Sequence, residues 1–138
     1  MPSGLINHTG DVGFWVRAKN MEDLFNDACK AFMSLIVPLK KINPRRRVFF
    51  SLKAKDEVEL LHNILSELLF YFETKKMVFS RYAVLDLEGY YLEMVAFGEV
   101  FSEIKHKVGM IPKAVTYHQL NIKEDECGYY TVRVIIDI

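Results

Sequence analysis

Oxygen donors gather at both ends of this 138-residue sequence. His8-Thr9-Gly10-Asp11-Val12-Gly13 sets an imidazole and a carboxylate at the head of one alternating apolar run. Val134-Ile135-Ile136-Asp137-Ile138 sets a second carboxylate at the foot of another. Read as the chain's own terminus, Ile138 adds an α-carboxylate beside Asp137. Carboxylates held together need protons or a cation to relieve their repulsion. If the two runs lie side by side, Asp11, Asp137 and Ile138 form an oxygen-ligand set for a hard divalent ion, with His8 nearby as a base or outer group. Plainer explanations exist. Asp11 lies in a Thr9-Gly10-Asp11 turn, where Asp commonly bonds its own backbone, and terminal residues commonly fray. The alternation of Val132, Val134 and Ile136 argues against fraying, because it ties the last strand into a sheet up to Asp137.

Thr116-Tyr117-His118 is a third cluster, at the start of a predicted strand after a long loop. Loops carry function disproportionately, although a Tyr-His pair on a strand is more often packing than chemistry. His62 falls at an exposed helical position and receives no role. His106, between Lys105 and Lys107, is expected in solvent or at a groove mouth. The sequence has no glycine-rich phosphate loop, no dinucleotide-binding glycine triplet, no zinc-type Cys/His pairing and no nucleophile elbow. Lysine plus arginine and aspartate plus glutamate both number 18, and this balance argues against a general polyanion binder. Arg45-Arg46-Arg47 reads as a solvated charge run, and second as a patch for RNA or an acidic partner.

The elements that must position these groups follow from periodicity. Leu5 to Lys19 reads as strand, with Val12, Phe14 and Val16 alternating. Asn20 caps a helix over Met21 to Ile36, whose stripe is Leu24, Phe25, Ala28, Cys29, Phe32 and Leu35/Ile36, and Pro38 ends it. Val48 to Ala54 is a strand. Asp56 and Glu59 form a capping-box-like pair opening a second helix with Leu61, Ile64, Leu65, Leu68, Leu69 and Phe72 on one face. Val78 to Leu87 and Tyr90 to Gly98 flank a hairpin turn at Glu88-Gly89. Glu99 to Pro112 is a long loop. Lys113 to Lys123 and Tyr129 to Ile136 flank a second turn. We expect one domain over residues 1–138. Its fold class is α+β, a two-layer sandwich whose mostly antiparallel sheet is covered on one face by two amphipathic helices. No apolar run is long enough for a membrane span, and the opening residues do not read as a signal peptide. Cys29 on the apolar helical face reads as a buried reduced thiol. These features suggest a cytoplasmic protein.

Several segments, in order, resemble the archease family: His8 to Gly13, Leu65 to Phe72 followed by Val78-Phe79-Ser80, Gly98-Glu99, His106, Lys113 to His118, and Val134 to Ile138. No segment is specific alone; together they span nearly the whole chain. The resemblance implies a small α+β protein that is itself non-catalytic and activates the GTP-dependent tRNA-splicing RNA ligase. It would promote guanylylation of the ligase and multiple turnover, meeting RNA only through the ligase. It also implies a divalent-metal site, calcium in the family with manganese or magnesium as alternatives. By motif, the ligands here would be Asp11, Asp137 and Ile138. Lys113, Thr116, His118 and His8 would stand close to the site or at the partner. Departures from the family pattern are Gly10 in place of alanine, an apolar Lys107 to Pro112 loop, and the dense Arg45 to Arg47 run.

Two other functions fit the residues. A metal-dependent phosphoester hydrolase would use Asp11 and Asp137 as ligands with His8 or His118 as base. A chaperone-like interaction module without a metal would use Met110-Ile111 as its contact surface.

Overall fold

The computed structural model describes residues 3–8 and 10–138, with only the backbone of Ile6, Asn7 and His8. The opening segment is two strands, β1 (Ser3–His8) and β2 (Asp11–Ala18). They pair antiparallel from Ser3↔Val16 to His8↔Asp11. Gly10, which leads into β2, has φ +79°, which glycine adopts at little cost. The single strand expected over Leu5 to Lys19 is thus a hairpin.

Helix α1 (Met21–Ile36) begins where Asn20 accepts a hydrogen bond from the Asp23 N–H at 2.8 Å. Its end precedes Pro38, with a 3-10 turn at Leu39–Lys41. Strand β3 (Arg46–Lys53) leads to helix α2 (Glu57–Lys75). The Asp56 carboxylate accepts from the Glu59 N–H at 2.8 Å, but the Glu59 side chain reaches back to the Lys55 N–H at 3.4 Å. The capping box therefore closes one residue early. Lys76, in the left-handed region at φ 55°, terminates α2.

Strands β4 (Met77–Glu88) and β5 (Tyr91–Val100) form the long hairpin expected around Gly89. Gly98 is required there, since a Cβ would overlap the Val78 carbonyl and crowd Phe79 Cα at 2.7 Å, next to the register shift between Phe79 and Arg81. The segment expected as one strand over Lys113 to Lys123 is broken. Only β6 (Ala114–Val115) and β7 (Ile122–Glu124) are extended, and Gln119 between them has φ 55°. Strand β8 (Tyr130–Asp137) closes the chain.

All strand pairing is antiparallel. The strands divide into two sheets, one ordered β1-β2-β8 with β6 and β7 both along the far edge of β8, the other ordered β3-β5-β4. Helix α1 bridges them, packing on β2 and β8 in one and β4 in the other, while α2 packs on the second sheet and β6. The α+β sandwich is as expected; its strands form two sheets because β8 returns to β2 instead of extending the β4-β5 hairpin. Val12, Phe14 and Val16 point inward with Val132, Val134 and Ile136 against Phe25, Ala28, Cys29 and Phe32, all buried. At roughly 1.5–3 kcal/mol per fully buried large apolar side chain, this face dominates stability. Cys29 is buried and Cys127 exposed, both as free thiols. Burial pushes the Cys29 thiol pKa upward, which keeps it protonated and inert. No helix among the described residues is long and apolar enough to cross a membrane.

Candidate functional site

The start of β2 meets the end of β8. Strand β2 pairs with β8 in a register that sets Asp11 directly opposite Asp137. Directly opposed residues project to the same face of a sheet. Because Val12 and Ile136, the next pair, are buried in the core, both carboxylates point to the opposite face, away from the helices. Each is half-buried. Neither side chain has a hydrogen-bond or ion-pair partner among the described residues. The Ile138 N–H donates to the Gly10 carbonyl at 3.3 Å, which carries the pairing one residue past Asp137 to the β1–β2 turn.

The Lys113 to His118 segment flanks this pair on the other side. Ala114 pairs with Asp137 and Val115 with Ile136. The Lys113 N–H donates to the Asp137 carbonyl at 2.7 Å. Thr116 donates to the Ile135 carbonyl through both its N–H, at 3.1 Å, and its Oγ1, at 2.9 Å. Lys113 is thus anchored through its backbone to Asp137 and has an exposed side chain, and Thr116 is a strand clasp. His118 is not brought to the pair. It follows β6 on an exposed turn, with its N–H on Thr116 Oγ1 at 3.2 Å and no partner for its ring among the described residues. The side chain of His8 lies outside the described residues, although its backbone pairs with Asp11.

Two clusters that hold this arrangement were not legible in the sequence. His62 is half-buried, not exposed. Its Nε2 donates to the Val115 carbonyl at 2.8 Å, and its ring stacks on Tyr117 with centroids 3.9 Å apart. It pins β6 to α2. His106 is buried, with 1% exposure, and not in solvent. The Ser102 N–H donates to its Nδ1 at 2.9 Å, so its Nε2 carries the proton and donates to Glu99 Oε2 at 2.9 Å. That same oxygen accepts from Lys105 Nζ at 2.7 Å and the Asn43 N–H at 2.9 Å. Burial raises the Glu99 pKa, but the Lys105, Asn43 and His106 donors outweigh it and hold the pKa at about 2. The cluster ties the β5–β6 loop to β5. Farther along the loop, the Gly109 and Met110 N–H groups donate to the carbonyls of Ile36 and Leu35. They satisfy the open end of α1.

A broad groove is lined by Phe72, Phe101, His106, Val108 and Ile111 among others, and contains neither Asp11 nor Asp137. No group of three or more His, Cys, Asp or Glu side chains is arranged to hold a metal among the described residues. The pair supplies two side-chain carboxylates on one face of the sheet. Two directly opposed carboxylates without a partner among the described residues suit a hard cation, since like charges facing across a strand pair are otherwise destabilising.

An antiparallel α+β sandwich with an aspartate pair where its first hairpin meets its last strand is the class of protein defined so far. The sequence pattern of the archease protein family (MTH1598/TM1083) matches residues 4–138. Protein archease of Methanopyrus kandleri is 36% identical, with all of both chains covered. That of Methanothermobacter thermautotrophicus is 32% identical, covering 94% of each. The solution structure of protein 1598 from Methanobacterium thermoautotrophicum superposes with a TM-score of 0.84 at 30% identity, covering 99% of this chain and 98% of that one. A Thermotoga maritima crystal structure, described as an archease and possible chaperone, shares the fold with a TM-score of 0.68 at 18% identity, covering 96% of this chain and 94% of that one. The chain belongs to the archease family.

Proposed function

We propose that this protein is a non-catalytic accessory factor that activates the GTP-dependent tRNA-splicing RNA ligase, raising ligase guanylylation and turnover. Family membership supports the reading. The observation in the molecule that carries it is the register placing Asp11 opposite Asp137 with no partner for either carboxylate among the described residues. Asp11, Asp137 and the carboxyl of Ile138 are the proposed oxygen donors for a divalent ion, calcium or alternatively manganese or magnesium. A bound ion there would supply a positive charge able to meet phosphate oxygens, which is the need of phosphoryl and nucleotidyl transfer. The residues of this chain hold the donors at a fixed spacing. The β2–β8 ladder sets the aspartates, β6 buttresses Asp137 through its carbonyl, and His62 holds β6. Lys113, exposed and bonded through its backbone to the Asp137 carbonyl, is proposed to contact the ligase or the nucleotide. RNA is reached through the ligase in this reading, and the cytoplasm is the proposed compartment.

The test is guanylylation of the purified ligase with labelled GTP and a divalent metal. The protein should raise the yield of ligase–GMP adduct, and Asp11→Ala and Asp137→Ala should each remove the gain while their thermal transitions persist. A gain retained in full by either variant overturns the role of the carboxylate pair.

One observation favours a second reading, a client-binding module. The β5–β6 loop exposes Ile104 at 96% and Ile111 at 62%, and lone apolar side chains of that size on one loop suit protein contact. Met110, proposed with Ile111 as the contact, is instead half-buried and tied to Leu35 through its backbone. Ile104→Ser with Ile111→Ser separates the readings. Loss of client protection with intact guanylylation supports the second.

A further inference from the structure

Strand β3 is an edge of its sheet, and the groove along that edge is lined by Arg46, Arg47, Phe49, Tyr71 and Lys75, together with Val48 and Met77. No carboxylate lines it. None of the three cations has a salt-bridge partner among the described residues. Phe49 is 64% exposed. Arg47 lies over its ring at 5.9 Å from the centroid, and Lys75 lies 5.1 Å from the Tyr71 centroid. Each pairing follows from local spacing. Arg47 and Phe49 share a face of β3 at i and i+2, and Tyr71 and Lys75 are one helical turn apart on α2. Charges on an edge strand guard against unwanted strand pairing, but that does not explain why the Phe49 ring stands open beside them, with the half-buried Tyr71 ring lining the same groove.

We infer that this groove binds single-stranded nucleic acid directly, its three cations meeting phosphates and the Phe49 and Tyr71 rings stacking with bases. A single strand presents alternating anionic phosphate and flat base, and the groove presents cation and ring together at two points. The chain's overall neutrality confines the attraction to this patch, so binding is local and salt-sensitive. The inference is independent of the ligase reading, since it concerns other residues and needs no partner protein.

The experiment is fluorescence anisotropy of a labelled single-stranded RNA of about ten nucleotides, a length within the usual site sizes, with the full chain. Inorganic polyphosphate and an acidic peptide serve as competitors. Three phosphate contacts predict a log–log salt slope of about −2, so the apparent Kd should rise about twentyfold between 50 and 200 mM salt. Replacing Arg46, Arg47 and Lys75 by alanine should raise the Kd at 50 mM salt at least tenfold and flatten the slope of the binding that remains. Phe49→Leu alters an exposed ring and should keep the fold. It should weaken RNA binding about fivefold or more while leaving the salt slope unchanged. Absence of binding at 50 mM salt overturns the inference. So does an unchanged Kd in the triple variant. Competition by polyphosphate or acidic peptide as strong as by RNA, with Phe49→Leu silent, also overturns it, because the groove is then a charge patch only.

Discussion

Asp137→Asn gives the sharpest stability test of the carboxylate pair, because its sign should reverse with metal. Without an ion, Asp11 and Asp137 repel across the β2–β8 register. Taking carboxylates about 5 Å apart and the weak end of the effective dielectric range, since both groups are half-buried, the repulsion is about 1 kcal/mol. The amide removes one charge without changing shape. In chelator the variant should therefore melt about 3–4 °C above the parent for a domain of this size. A divalent ion at a hundred times its Kd should stabilise the parent by about 2.7 kcal/mol and the variant by far less, so the order of the two melting points inverts. Differential scanning calorimetry in chelator and then in calcium, manganese and magnesium reads both halves. A variant that melts no higher than the parent in chelator, or that gains as much from metal as the parent does, refutes the reasoning.

Other outcomes follow from the scaffold. Gly98→Ala drives a methyl into the Val78 carbonyl; it should lower the urea midpoint by an amount equivalent to about 3 kcal/mol or more, as overpacking against backbone does. Glu99 has its pKa held near 2 against an ordinary value of 4.5. The unfolded chain takes up that proton first, so the contribution of Glu99 is complete above about pH 4.5 and is lost as pH falls towards 2. Glu99→Gln should lower stability at neutral pH and remove this part of the acid dependence, read as the parent-minus-variant urea midpoint across that window. His62→Ala removes the clasp on Val115 and the stack on Tyr117; amide exchange at Val115 and Thr116 should quicken, with smaller change in the α1 core.

Legibility in the sequence tracked how local each signal was. Both helices were legible because Asn20 and Asp56 are caps acting three residues ahead and the apolar stripes repeat every turn. The β4–β5 hairpin was legible because Gly89 marks its turn. The break between β6 and β7 was not, since Gln119 takes a left-handed conformation without a glycine or proline to announce it. The division into two sheets depends on β8 choosing β2, a long-range choice that no local pattern encodes. For the same reason the Asp11–Asp137 pairing could only be suspected, from matched motifs at the two ends. The Glu99–His106 cluster lay hidden in a loop without periodicity, and His62 looked exposed because its covering ring, Tyr117, comes from a distant segment.

The most direct measurement of the ligase role is multiple-turnover RNA joining by the cognate ligase, held limiting with GTP and a divalent metal, with and without this protein. Turnover should rise from about one joining event per ligase to many, and should return to about one with Asp11→Ala or Asp137→Ala. Unchanged turnover across calcium, manganese and magnesium would contradict the proposed role.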